Sequence, residues 1–183
     1  MASASIWTVG HSNRSLEAFL ATLKAHGVER VIDVRRFPAS RKWPHFNAAS
    51  MSESLPAAGI DYAGMPELGG RRKARSDSPH IAWRVEAFRG YADFMDTKEF
   101  EDASGRAGEL AREKHSTLMC AESLPWRCHR SLLADAFLAR GWEVFEILSE
   151  NEARSRKLPS FARLEGTRVI YDVLTSGTFD LRP

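Results

Sequence analysis

The alternation of short apolar segments with longer amphipathic ones is the feature that most constrains the fold. Five segments have the length and β-rich composition of buried strands: residues 6–9, 31–34, 60–63, 116–119 and 143–148. Strands that alternate with helices imply right-handed crossovers and a mainly parallel sheet with helices on both faces. We therefore predict one three-layer α/β/α domain over residues 1–183, Rossmann-like, with about five strands and a C-terminal extension over residues 149–183.

The helices are predicted from their caps and apolar spacing. Ser15 is a typical N-cap, and Gly27 is a typical stop for the helix that follows it. The other predicted helices run from Asn47 towards Gly59, over 84–95, over 98–114, and from Pro125 to Arg140. Residues 64–79 lack apolar periodicity and are predicted to form a long loop, and 168–173 are predicted to add an edge strand.

Composition excludes several classes of protein. Hydrophobic residues make up 43% of the 183 and charged residues 27%, which is typical of a globular chain. No apolar run approaches the ~20 residues of a membrane helix, and no signal peptide is visible, so we expect no membrane partner. Two cysteines without an export signal do not indicate a disulfide framework. A cytoplasmic location is the expectation.

Charge is distributed unevenly along the chain. Residues 35–75 contain eight Lys/Arg and three Asp/Glu, an excess of +5, although the whole chain carries only +2. Either this segment is an ordinary solvated face, or it binds an anionic partner such as a small phosphate-bearing molecule or nucleic acid.

Unusual polar residues follow each predicted strand. They lie in the segments 10–13, 33–41, 66–70, 120–122 and 149–152. The carboxyl ends of parallel strands meet at one edge of a sheet, where open α/β folds bind their ligands. The sequence therefore predicts a site at that edge.

The same segments carry a family resemblance. The motifs are Thr8-Val-Gly-His-Ser12, Asp33-Val-Arg35 with Pro38-x-Ser40-Arg41, Glu67-Leu-Gly-Gly70, and Cys120-x-Glu122-x5-Cys128-His-Arg130. Together they resemble the domain-of-unknown-function 488 family over residues 8–148. The resemblance implies an α/β fold, and it implies no activity.

The richest segment runs from Cys120 to Arg130. A helix beginning at Pro125 would offer free N–H groups to an anion, Arg127 and Arg130 would add positive charge, and the Cys120 thiol pKa would fall. Cysteine phosphatases and rhodaneses use a similar cradle, but six residues separate Cys120 from Arg127 instead of five. Direct membership in those classes is therefore disfavoured.

Metal binding is an alternative use of the same residues. Cys120, Glu122, Cys128, His129 and His11 have the right chemistry for zinc or iron. Their spacing matches no standard C-x2-C knuckle, so no metal ligand is assigned. His129 and Cys128 could equally be packed into the core.

The carboxylates also have two interpretations. Asp33 either pairs with Arg35 or Arg130 in the fold, or acts as a general base or an anchor for a ribose hydroxyl. With Glu67 and Glu122 it could instead suit glycosyl or nucleoside transfer.

Two loops carry further candidates. Residues 35–46 interleave Arg and Lys with Phe37, Trp43 and Phe46, which either stack on nucleotide bases or pack the loop onto the sheet. Gly69-Gly70, followed by basic residues, resembles a flexible phosphate clamp.

We therefore expect a small enzyme for a phosphate-bearing, nucleotide-like or nucleic-acid substrate. A non-catalytic module that binds nucleic acid or an anion is the alternative. The expected reacting groups are Cys120, Glu122, Asp33, His11 and His129; the expected anion-binding groups are Arg35, Arg41, Arg127, Arg130, Ser12, Gly69 and Gly70. Cofactor and oligomeric state are left open.

Overall fold

The predicted alternation of strands and helices is present in the computed structural model, which describes residues 4–174. The strands are β1 Ser5–Gly10, β2 Arg30–Asp33, β3 Asp61–Gly64, β4 Ser116–Cys120, β5 Glu143–Ser149, β6 Glu152–Ser155, β7 Arg163–Glu165 and β8 Arg168–Ile170. The α-helices are α1 Leu16–Ala25, α2 Ala48–Ala57, α3 Glu86–Met95, α4 Lys98–Glu113 and α5 Arg130–Ala139.

The main sheet has six strands in the order β3-β2-β4-β1-β5-β6. Its first five strands pair in parallel, and only β6 is antiparallel to its neighbour β5. The predicted three-layer α/β/α architecture with a mainly parallel sheet is confirmed, with six strands in place of about five. The carboxyl ends of β1 to β5 therefore lie at one edge of the sheet, which we call the carboxyl edge.

Each face of the sheet is covered by its own apolar core. Phe19 and Leu23 of α1 and Met51 and Leu55 of α2 pack on one face. Helices α3, α4 and α5 pack on the other face in a separate cluster. Neighbouring strand residues divide between the cores, as Leu118 and Met119 do, because successive side chains point to opposite faces.

The helix boundaries follow the caps in the sequence. The Ser15 hydroxyl accepts a hydrogen bond from the Ala18 amide at 3.2 Å, and Gly27 after α1 has a φ of +65°. The loop predicted over 64–79 begins later than predicted, because Gly64 ends β3 and Pro66–Leu68 form a 3-10 turn; residues 69–85 contain no helix or strand. Within residues 4–174, no helix has the length and apolar character needed to cross a bilayer.

The helix predicted to begin at Pro125 was placed wrongly. Residues Pro125–Arg127 form a short 3-10 turn, and α5 begins only at Arg130. Cys128 between them has an extended backbone (φ −131°, ψ 143°), which interrupts the helix. The free N–H groups of a helix at Pro125 are therefore not available to an anion.

The C-terminal part also differs from the prediction. Residues 168–170 pair with β7 in a separate two-stranded hairpin, so the predicted edge strand of the main sheet is wrong. The edge position belongs to β6. Tyr171 after the hairpin is buried and donates a hydrogen bond to Asp135 of α5 at 2.8 Å. Of the predicted extension 149–183, residues 175–183 lie outside the described part of the chain.

Candidate functional site

The loop after β4 passes directly over the end of β1. Gly10 is in register with Cys120, and the His11 amide donates to the Cys120 carbonyl oxygen at 2.9 Å. A Cβ atom on residue 10 would lie 1.9 Å from the carbonyl oxygen of Glu122, so glycine is required for this approach. The close approach makes His11 and Cys120 neighbours at the carboxyl edge.

Asp33 and Arg35 form a buried ion pair at the end of β2. Oδ1 of Asp33 accepts from Arg35 Nε at 2.8 Å, and Oδ2 accepts from Arg35 Nη2 at 2.6 Å and from Tyr62 Oη at 2.7 Å. Burial opposes the charge of Arg35, but the hydrogen bonds and charge of Asp33 outweigh it and raise the Arg35 pKa. Both carboxylate oxygens of Asp33 are therefore occupied, and they hold Arg35 in position.

His11 continues this chain of hydrogen bonds as a neutral imidazole. Its Nδ1 lies 2.8 Å from the Ser12 carbonyl oxygen, and its Nε2 lies 3.1 Å from Arg35 Nη1. Nδ1 must carry the proton to donate to the carbonyl, which leaves Nε2 to accept from Arg35. Burial, with the Arg35 charge, lowers the His11 pKa to about 4 despite the Ser12 hydrogen bond. His11 is thus an acceptor at neutral pH.

Arg130 supports the loop that carries Glu122. It is fully buried, and its guanidinium donates to the carbonyl oxygens of Glu122 and of Ser123, the latter at 2.9 Å. No acidic side chain pairs with it among residues 4–174. Arg130 therefore shapes the β4–α5 loop and is not exposed to a ligand.

Two thiols and one imidazole converge beneath this loop, and we call Cys120, Cys128 and His129 the cysteine–histidine cluster. The His129 Nδ1 lies 3.9 Å from Cys120 Sγ and 3.6 Å from Cys128 Sγ, and the three ligand-type atoms all lie within 4.8 Å of one another. On its other side, His129 Nε2 lies 3.2 Å from the Val34 carbonyl oxygen. Both cysteines are buried and free.

The two thiols of the cluster have opposite pKa shifts. A hydrogen bond from Cys128 lowers the Cys120 pKa well below its ordinary value; burial opposes this, and His129 and Arg130 reinforce it. The same hydrogen bond, with burial, raises the Cys128 pKa. Of the two thiols, Cys120 is therefore the one that ionises more readily.

A cavity of about 380 Å³ opens onto the cluster, and we call it the strand-end cavity. Its lining includes Cys120, Cys128 and His129, together with Glu122, Gly70, Phe37, Phe88 and the four arginines Arg35, Arg36, Arg71 and Arg127. Within residues 4–174, no acidic side chain forms an ion pair with Arg36, Arg71 or Arg127, and all three are exposed. The cavity therefore joins reactive sulfur to positive charge that is open to solvent.

The structure gathers most of the candidate residues from the sequence and separates a few. His11, Asp33, Arg35, Cys120, Glu122, Arg127, His129 and Gly70 lie around the cavity or directly behind it. Arg41 is exposed and does not line the cavity, and Gly69 instead packs against Arg36. Ser12 offers its carbonyl to His11, while its hydroxyl donates to Asn13.

The carboxylates are not arranged for glycosyl transfer. Asp33 is occupied by Arg35 and Tyr62, and Glu67 pairs with Arg106 at 2.6 Å. Among the described residues, Glu122 is the one acidic residue that lines the strand-end cavity, and its Oε1 accepts from the Leu124 amide at 3.2 Å. A paired acid and nucleophile would need a second carboxylate beside it.

Sequence reasoning missed four residues of this site. Arg36, Arg71 and Tyr62 were not among the candidate site residues, and Cys128 was left open between a metal ligand and a core residue. Arg36 and Arg71 lie beside predicted residues in basic loops, where sequence does not tell which side chains turn towards the sheet. Cys128 carried a usable signal, because it stands directly before His129 in the shared motif.

A larger cavity lies elsewhere and does not contain this chemistry. It measures about 1080 Å³ and lies between α4 and the β7–β8 hairpin. Basic side chains such as Arg140 and Arg168 alternate there with acidic ones such as Asp96 and Glu101, and it has no cysteine or histidine in its lining. The smaller strand-end cavity is the better candidate because its charge has one dominant sign and its reacting groups converge.

Comparisons with known proteins add a family and no activity. The family model described as "Domain of unknown function DUF488" matches residues 15–137. No curated protein and no solved structure matches the chain.

Proposed function

The chain belongs to the DUF488 family, and because that description names no activity, we propose a function from the site: an enzyme that acts on a phosphate-bearing, nucleotide-like substrate in the strand-end cavity. The observation that carries the proposal is the convergence of the cysteine–histidine cluster with Arg36, Arg71 and Arg127 around one opening. The reacting group is the cluster itself.

The arginines supply the binding part of the proposal. Guanidinium groups bind phosphate through paired hydrogen bonds, and clustered positive charge raises the local concentration of anions. Arg36, Arg71 and Arg127 have no competing carboxylate among the described residues, whereas Arg35 is held by Asp33. The three exposed arginines therefore bind the substrate, and Arg35 shapes the floor of the cavity.

Phe37 supports a nucleotide-like substrate. Its ring is 64% exposed beside the cavity, and the guanidinium carbons of Arg36 and Arg71 each lie 5.8 Å from its centroid. An exposed aromatic ring between cations can stack on a base whose phosphate the same cations bind. A purely inorganic anion would make no use of Phe37.

The cluster distinguishes an enzyme from a binding module. A module that only holds an anion needs the arginines but has no use for two thiols and an imidazole converging at the base of the cavity. The proposed chemistry needs both thiols reduced, which fits the expected cytoplasmic location.

The test is turnover of a panel of phosphomonoesters, phosphodiesters and mononucleotides by the purified protein. Cys120→Ser should abolish turnover while the arginines still bind the substrate. Phe37→Ala should weaken the binding of nucleotides more than the binding of inorganic phosphate. Arg112→Ala is the matched control, because Arg112 lies by the amino ends of the strands over Trp142. Binding without turnover in the wild type would identify a binding module, and absence of both would reject the proposal.

A further inference from the structure

We propose that Cys120, Cys128 and His129 are the three protein ligands of a thiophilic divalent metal ion of the zinc class, with the fourth coordination position open to the strand-end cavity. The metal site stands on its own geometry. Its role as the place where a water or a substrate oxygen binds rests on the proposed function.

The distances within the cluster match a tetrahedral ion. Zinc binds thiolate at about 2.3 Å and imidazole nitrogen at about 2.0–2.1 Å, which sets the separation between sulfur and nitrogen at about 3.6 Å. The two separations in the structure are 3.6 Å for Cys128 and 3.9 Å for Cys120. All three donor atoms lie within 4.8 Å of one another.

One tautomer of His129 suits a metal ligand. A neutral imidazole that donates from Nε2 to the Val34 carbonyl oxygen, 3.2 Å away, leaves the lone pair on Nδ1, which lies 3.6 Å from Cys128 Sγ and 3.9 Å from Cys120 Sγ. A metal ion uses the lone pair and both sulfurs together.

The contact with Val34 is also the kind that orients a metal-binding histidine. Such histidines almost always donate their other ring N–H to a carboxylate or a main-chain carbonyl, which fixes the tautomer and the ring plane. The Tyr91 ring, whose centroid lies 5.1 Å from that of His129, packs beside the imidazole. Ser131 donates to the Cys128 carbonyl oxygen at 2.9 Å and holds the turn that carries Cys128.

Ligand number and charge assign the kind of site. A structural zinc site has four protein ligands, whereas three ligands with an open position are the arrangement of catalytic zinc. Two thiolates balance a divalent ion, so the complex adds no net charge beside Arg36, Arg71 and Arg127. The open position therefore faces a cavity that still attracts anions.

The first test is metal content and coordination geometry. Protein produced with zinc supplied and dialysed against metal-free buffer should retain about one zinc ion per chain. Cobalt(II) in its place should give intense visible d–d bands and sulfur-to-cobalt charge-transfer absorption, the signature of a tetrahedral thiolate site. Octahedral cobalt spectra, or zinc lost on dialysis, would overturn the assignment.

Variants test the three ligands one at a time. Cys120→Ser, Cys128→Ser and His129→Ala should each lose the retained zinc, whereas His115→Ala should keep it because His115 stands before β4 at the opposite end of the strand from Cys120. Should a variant fail to fold, alkylation of the wild type decides: bound zinc should slow iodoacetamide modification of both cysteines. Equal alkylation with and without zinc would contradict the proposal.

Failure of the metal site and failure of the proposed function have different signatures. Zinc binding depends on the cysteines and His129, whereas phosphate binding depends on Arg36, Arg71 and Arg127. A zinc-free protein that still turns over phosphate esters would retain the proposed function, with Cys120 as a thiolate nucleophile. A zinc-loaded protein without affinity for phosphate would retain the metal site and lose the proposed function.

Discussion

A Cβ atom on Gly70 would lie 2.9 Å from Nδ1 of His129. The loop after β3 therefore passes against the imidazole that completes the cysteine–histidine cluster. The absence of a side chain at residue 70 is what lets His129 turn its Nδ1 towards both sulfurs. A side chain introduced at residue 70 should therefore disturb the cysteine–histidine cluster.

Gly70→Ala should push the His129 ring away from Cys120 and Cys128. Overpacking of a close contact costs about 1–3 kcal/mol of unfolding free energy, and displacing an orienting contact weakens metal binding by about 10–100-fold. Urea unfolding and a zinc titration measure the two effects.

Gly105→Ala is the matched control for Gly70→Ala. A Cβ atom at residue 105 meets nothing within 4 Å, and alanine favours a helix interior over glycine by about 1 kcal/mol. This variant should be slightly more stable than the wild type and should bind zinc normally. Equal stability and equal zinc affinity of the two variants would show that a side chain at residue 70 does not displace His129.

Asp33→Asn should strongly destabilise the protein. Removing one member of a buried ion pair leaves the other charge uncompensated, at a cost of about 3–5 kcal/mol. Arg35 is 7% exposed and Asp33 1%, so water cannot replace the lost carboxylate. Asp61→Asn, which removes a half-exposed carboxylate that pairs with Arg30 and Lys114, should change urea unfolding little. A loss no larger than that of Asp61→Asn would contradict a buried pair.

Sequence predicted the sheet and its carboxyl edge because buried parallel strands have a local signature. The strand β6 was missed because its residues, Glu-Ala-Arg-Ser, lack apolar alternation and pair only through their neighbour β5. The start of α5 was misplaced because Pro125 is a good first helical residue, while tertiary contacts set the extended backbone at Cys128. Local sequence preferences do not predict those tertiary contacts.

The residues of the site were predicted to the extent that they follow strands directly. His11, Asp33, Arg35 and Cys120 were placed correctly at the carboxyl edge, because strand direction alone decides their position. Arg41 and Arg36 belong to the same basic loop, and only the three-dimensional path of that loop turns Arg36 towards the cavity. The convergence of Cys128 with Cys120 likewise depends on the turn between β4 and α5.

The free energy of unfolding should fall in acid because of Asp96. Burial opposes its charge, but the hydrogen bonds and charge of Arg168, with the His80 ring 3.5 Å away, outweigh burial and lower the Asp96 pKa well below its ordinary value of 3.8. A carboxylate with a lowered pKa in the folded state stabilises above its unfolded pKa, and this contribution is lost as pH falls below it. The stability advantage of the wild type over Asp96→Asn should therefore be full at pH 7 and shrink below about pH 4.

Urea unfolding of both proteins between pH 7 and pH 3 measures this advantage. Asp96 binds Arg168 of β8 through two hydrogen bonds of 2.7 Å, so the loss should be accompanied by exposure of the β7–β8 hairpin. Asp102→Asn is the control, because Asp102 pairs with exposed Lys98 on the surface of α4. An advantage that stays constant down to pH 3 would exclude the Asp96–Arg168 pair as its source.

Arg127 and Arg130 are three residues apart, and their alanine variants should have different effects. The first should lose phosphate binding, and the second should lose stability. Arg127 is exposed at the strand-end cavity and has no ion pair among the described residues, so Arg127→Ala should leave unfolding unchanged and weaken phosphate binding. Arg130 is fully buried and binds two carbonyl oxygens of the β4–α5 loop. Arg130→Ala removes both hydrogen bonds from this charged donor, each worth about 1.5–3 kcal/mol.

Thermal melting with and without ligand separates the two roles. A ligand at about one hundred times its dissociation constant stabilises the folded protein by about 2.7 kcal/mol, which raises the melting temperature of a domain of this size by about 5–10 °C. Phosphate, sulfate and a mononucleotide should each give this protection to the wild type. Arg127→Ala should melt at the wild-type temperature and gain little from the anions, whereas Arg130→Ala should already melt lower without them. Full protection of Arg127→Ala, together with normal melting of Arg130→Ala, would mean that the anion binds outside the strand-end cavity and that the buried guanidinium does not hold the loop.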